Sequence, residues 1–123
     1  MFEIHPAKAD KTEALAKQEG LDTVLAMVVW NNGEEAGYVL YRVERDTVFL
    51  FRVRCEHPEL QEWLVRAALN AGVNRLATDA VCAEPELFEL MERLGFTREG
   101  DKYTLFIPAF FNRPCAGGCA DCH

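Results

Sequence analysis

Thr47 to Val81 reads TVFLFRVRCEHPELQEWLVRAALNAGVNRLATDAV. Its first eight residues, Thr47 to Arg54, are mostly β-branched or aromatic, the composition of a strand. Phe49, Phe51 and Val53 fall on one face and Val48, Leu50, Arg52 and Arg54 on the other; the first face is expected to be core, the second to leave the core towards its end. Pro58 fits the first turn of a helix, where its missing amide leaves no bond unmade. Leu60, Leu64, Ala67, Ala68 and Ala71 then recur at helical spacing, with Trp63 flanking the stripe. Gly72 reads as the stop, and Arg75 to Val81 as a buried strand. A strand, a helix and a strand in this order predict a parallel pair joined by a right-handed crossover.

Upstream, Asp10-Lys11-Thr12-Glu13 reads as a capping box, with a helix from Lys11 to Glu19 ended by Gly20 in a left-handed cap. Phe2 to His5 alternates as a short edge strand does. Three strand-like runs follow: Thr23 to Trp30, Gly37 to Glu44 and Thr47 to Arg54. Asn31-Asn32-Gly33 and Arg45-Asp46 turn between them, which predicts an antiparallel meander. Downstream, Pro85 opens a helix with Leu87, Leu90, Met91 and Leu94 on its apolar face, capped by Gly95. Phe96 to Ile107 reads as a hairpin about Gly100-Asp101. From Pro108 the chain reads as an irregular tail, giving a domain over residues 1–107 and a cysteine-rich end over 108–123.

At 123 residues, half of them apolar, the chain suits one domain with a real core. A formal charge of −7 argues against nucleic acid, which needs a basic footprint, and against an anionic membrane surface. No apolar run approaches the roughly 20 residues that span a bilayer. The N-terminus has no signal-peptide pattern, so the cytoplasm is expected, with mostly reduced cysteines.

The element order, together with ELFELMERLGFTREGDKYTLF (Glu86 to Phe106), resembles the GNAT superfamily of acyl-CoA-dependent N-acetyltransferases over about residues 1–107. The resemblance implies an α/β fold of GNAT type: a mixed, mostly antiparallel sheet with one parallel crossover and helices on both faces. It implies acetyl-CoA as cosubstrate and, as acceptor, a small-molecule amine, a protein N-terminus or a lysine. The pantetheine arm of the cofactor would pair with the strand edge at Phe51, Arg52, Val53 and Arg54, with backbone amides near Val53 polarising the thioester carbonyl. Its diphosphate would lie at the following helix start, on Glu59, Leu60 and Gln61.

Two signatures of the family change here. Glu56, Glu59 and Gln61 stand where its Arg-x-x-Gly-x-Gly pattern places Arg, Gly and Gly, and Pro58 removes one donor. Met91 stands where many members have the tyrosine that protonates the leaving thiolate, and Glu84 where an asparagine is common. A non-catalytic binding or regulatory module on the same scaffold is the alternative reading.

Other residues carry their own expectations. Cys55 and Cys82 fall at the carboxyl ends of two strands expected to be parallel neighbours, where ligands of open sheets bind, although small cysteines also simply pack. His57 and Glu56 are base candidates for an amine substrate, His57 equally a surface residue beside a helix start. Glu34, Glu35, Glu44 and Glu56 are either an acidic attractor for a cationic amine or a solvated face. In the tail, Cys115, Cys119, Cys122 and His123 make a zinc-type donor set. The same stretch matches a haem-attachment pattern, which needs export, and an iron–sulfur spacing that belongs to much larger barrels. A free thiol tail is the fourth reading.

Overall fold

A computed structural model describes residues 1–112. Its elements run β1 (Phe2–Pro6), α1 (Ala9–Gln18), β2 (Leu25–Asn31), β3 (Glu34–Glu44), β4 (Thr47–Arg54), α2 (Pro58–Val73), β5 (Asp79–Cys82), a 3₁₀ turn (Pro85–Leu87), α3 (Phe88–Leu94), β6 (Thr97–Glu99), β7 (Lys102–Phe106) and α4 (Ile107–Asn112). The strands form one sheet in the order β1-β2-β3-β4-β5-β7-β6. Every neighbouring pair is antiparallel except β4 and β5, which pair in parallel through Thr47–Asp79, Val48–Ala80 and Phe49–Val81. The crossover predicted over residues 47–81 is therefore present, and so is the mixed, mostly antiparallel α/β sheet.

The main core fills with Leu60, Leu64, Val65, Ala68 and Leu69 of α2 against Val29, Val39, Val48 and Leu50 of the sheet; Leu90, Met91 and Leu94 of α3 join it. A smaller core lies under α1, built from Leu15, Ala26, Val28, Tyr38 and Leu40. The buried stripe of α2 is rotated from the predicted one. Val65, Leu69 and Gly72 are buried, while Ala67 and Ala71 are half-buried. Gly72 does not stop the helix. It faces the sheet so closely that a Cβ there would sit 2.2 Å from Val48 Cγ2.

The facing predicted for β4 fails up to Leu50 and holds from Arg52 onward, because one extra residue intervenes. Leu40 pairs with Arg52 and Tyr41 with Leu50, so Phe51 bulges out of the ladder with β3. Because side chains alternate strictly, one extra residue swaps the faces. Val48 and Leu50 lie in the main core before the bulge and Val53 after it, whereas Arg52 and Arg54 turn to the α1 side, opposite Leu40 and Tyr38.

Smaller corrections follow the same local physics. α1 starts at Ala9, and Asp10 Oδ1 accepts from the next amide, Lys11 N (2.9 Å), instead of from the amide three residues on. Arg75 and Leu76 belong to a turn, with Leu76 at φ 68° and exposed, so β5 begins only at Asp79. Over Pro108 to Asn112 the irregular tail expected is instead part of α4, whose Ile107 and Phe110 are buried in the main core; the rest of that tail lies outside the described residues. Gly20, Gly95 and Gly100 do adopt the positive φ expected of them.

Candidate active-site cleft

The parallel ladder between β4 and β5 ends at Phe49 and Val81. β4 continues to Arg54, so from Leu50 onward its edge towards β5 has no strand beside it. β5 continues only to Cys82, which pairs on its other side with Tyr103 of β7. The bulge at Phe51, in the ladder with β3, sits just beyond the point where the β4–β5 ladder ends. The result is a cleft with a backbone edge of Leu50 to Arg54 on one wall. A peptide-like chain carrying alternating amide donors and acceptors is the ligand such an edge suits.

The start of α2 is poorly suited to an anion. The amides of Leu60 and Gln61 both donate to the His57 carbonyl, each at 3.0 Å. Pro58 has no amide to offer. The Gln61 side chain donates from Nε2 to the Cys55 carbonyl (2.6 Å) and accepts at Oε1 from Arg93 Nη2 (3.0 Å), which ties β4, α2 and α3 together. Glu59 stands exposed in the first turn, where an acidic residue complements the helix dipole and repels a phosphate. The residues at this helix start do not fit a diphosphate.

Met91, which the resemblance places at the family's acid position, is fully buried in the main core and carries no proton to give. His57 is exposed, its ring 6.5 Å from that of Phe2. Glu56 lines an open hollow of about 530 Å³ with Glu35, Gly37, Tyr38, Val53, Arg54 and Cys55. Of the four glutamates expected to act together, Glu35 and Glu56 meet there. Glu35 is already paired with Lys11 (2.5 Å), and Glu44 lies at the far end of β3, paired with Arg42.

The charged groups that do converge were not all visible in the sequence. Arg54 donates to Glu19 from Nε (3.0 Å) and Nη2 (2.8 Å), and Arg52 Nε donates to Glu19 Oε1 (3.2 Å). Arg52 Nη1 also donates to Glu84 Oε1 (2.7 Å) and to the Phe51 carbonyl (2.8 Å), and Arg54 Nη1 reaches Glu86 Oε2 (3.3 Å). The Tyr38 hydroxyl donates to Glu19 Oε2. Hydrogen bonding from Arg54, reinforced by Tyr38 and Arg52, holds the Glu19 carboxyl down to about 2 against the opposing effect of burial. Burial, with the bond to Glu19, pushes Tyr38 up to about 12. Glu19, Tyr38 and Glu86 had no motif to announce them. The available signal was two arginines on one strand face, which need carboxylate partners when they are drawn against a sheet; nothing local says which ones.

Cys55 and Cys82 do end neighbouring parallel strands. Cys82 is fully buried, and burial pushes its thiol up to about 11, the behaviour of an inert packing residue. Cys55 is half-buried against Gly37, where any Cβ would fall 2.5 Å from the Arg54 carbonyl and 2.7 Å from Cys55 Cβ. The zinc-type set of Cys115, Cys119, Cys122 and His123 lies outside the described residues, and among the described residues no group of His, Cys, Asp and Glu is arranged to hold a metal. Among the described residues no helix is long and apolar enough to cross a membrane.

No protein-family model matches the chain, and no curated protein matches it in sequence. Solved structures do match its fold. The PaiA N-acetyltransferase of Thermoplasma acidophilum, solved with coenzyme A, is 12% identical over 85% of this chain and 96% of its own, with a TM-score of 0.62. A GNAT-family acetyltransferase of Brucella melitensis, solved with acetyl-CoA, gives 13%, 86%, 88% and 0.64. The ribosomal-protein-S18-alanine N-acetyltransferase of Escherichia coli gives 15%, 85%, 90% and 0.63. The chain has the fold of the GNAT acetyltransferases, as its element order implied.

Proposed function

We propose that the chain is an acyl-CoA-dependent N-acetyltransferase that holds its donor by the pantetheine arm and scarcely by the diphosphate. The unpaired edge from Leu50 to Arg54, opened where β4 and β5 part, carries this reading. The edge orients the donor thioester, and an amide near Val53 polarises its carbonyl. A neutral amine attacks that carbonyl, the C–N bond forms and the C–S bond breaks. With Met91 at the acid position, the leaving thiolate takes its proton from water or from the attacking ammonium. His57 and Glu56 are this chain's candidates to relay that proton. The acceptor is a small-molecule amine or a protein amino group, drawn by the acidic surface, and the site of action is the cytoplasm.

A non-catalytic module on the same scaffold is the second reading, favoured by Pro58 and the exposed Glu59 at the start of α2. Calorimetry with acetyl-CoA and with acetyl-pantetheine, which lacks the nucleotide and diphosphate, separates the two. The acetyltransferase reading expects both ligands to bind with affinities within about tenfold of each other, a gap of some 1.4 kcal/mol. Absence of heat with either at millimolar ligand leaves the binding-module reading in its place.

A further inference from the structure

Beyond Phe49 and Val81 no ladder joins β4 to β5, yet side chains still span the gap. Arg52 of β4 reaches Glu84 (2.7 Å) and Glu86 (3.6 Å), and Arg54 reaches Glu86 (3.3 Å); both glutamates follow the end of β5. On the other side both arginines are anchored on Glu19 at the end of α1. The Phe51 bulge makes this possible by turning Arg52 and Arg54 to the α1 face.

We propose that these five side chains form a clasp that holds the cleft closed, and that the Glu84–Glu86 half must release before a ligand seats along Leu50 to Arg54. The two halves differ in strength. Glu19 is 10% exposed and holds both arginines, whereas the side chains of Glu84 and Glu86 are 31% and 46% exposed. Exposed ion pairs are weak and screened by salt, so the outer half opens first. When it opens, Arg52 keeps its bonds to Glu19 and to the Phe51 carbonyl, so the guanidinium stays parked on the α1 side and clear of the strand edge. The identity of the ligand rests on the acyl-CoA reading; the clasp itself does not.

Amide hydrogen exchange tests the clasp directly. In Glu84→Gln/Glu86→Gln, amides of Leu50 to Arg54 and of Cys82 are expected to exchange about threefold to tenfold faster than in the native chain, with α2 unchanged. Glu84→Gln alone, a smaller change, is expected to give part of the same effect. Equal exchange in both variants and the native chain overturns the clasp. Acetyl-CoA titration tests its consequence: the double variant is expected to bind several-fold more tightly than the native chain. The control Glu13→Gln/Asp101→Asn makes the same charge change at exposed positions outside the clasp, and an equal gain there overturns the gating. If neither the native chain nor the double variant binds acetyl-CoA, the acyl-CoA reading falls, and the exchange rates still decide whether the clasp exists.

Discussion

Glu19 is the residue on which two arginines and a tyrosine converge, and its consequence is a pH dependence. Its folded value of about 2 lies below the ordinary 4.5, so the stability it contributes is complete above about pH 4.5 and is lost as pH falls through about 2. Glu19→Gln is expected to cost on the order of 2 kcal/mol at about pH 7, because charge-assisted bonds to two guanidiniums are weakened together. The difference in urea midpoint between variant and native chain should shrink as pH is lowered from about 4.5 towards 2. A constant difference across that range would show that the carboxylate charge is not what Glu19 contributes. Gly37 acts at the same scale. Alanine there meets the Arg54 carbonyl and Cys55 Cβ, and neither can swing aside, so Gly37→Ala should lose about 2 kcal/mol in a thermal melt.

At the scale of elements, the approach of α2 to β4 is set by the absence of a side chain at Gly72. Gly72→Ala should raise helix propensity by a few tenths of a kcal/mol to about 1 kcal/mol, and overpacking against Val48 should outweigh that with a cost of about 1–3 kcal/mol. Val48→Ala leaves a cavity of its own, yet the double variant should be more stable than the sum of the two single changes. Additive losses would show that α2 and β4 do not meet at this point. The bulge at Phe51 is the other decision made at this scale. Strand composition predicted β4 and its span to the residue, and predicted its facing wrongly up to Leu50 and rightly from Arg52 onward. A bulge depends on the register of the neighbouring strand, and no pattern within Thr47 to Arg54 encodes that register.

For the whole molecule, the two cores share one sheet, so they should unfold together. Trp30 packs against the α1-side core and Trp63 lies on α2. Chains carrying only one of these tryptophans should report urea transitions with the same midpoint after correction for the substitution. Separate transitions would mean that the α1 layer opens on its own. The cleft is also a property of this scale. It exists because β4 outruns β5 and because residues from α1, β4 and the turn after β5 meet across it.

The sequence alone determined the order of elements from β1 to β7, the parallel crossover, the hairpin and the glycine caps at Gly20 and Gly95, because hydrophobic period, turn chemistry and proline placement act over a few residues. It also showed that the helix start at Pro58 and the position of Met91 differ from the family it resembles. Only the tertiary structure decided which face each side chain of β4 presents, that Gly72 is a contact and not a stop, and that Glu19 holds Arg52 and Arg54 from more than thirty residues away. Those outcomes depend on register and packing between segments distant in the chain, and such contacts leave no local pattern to read.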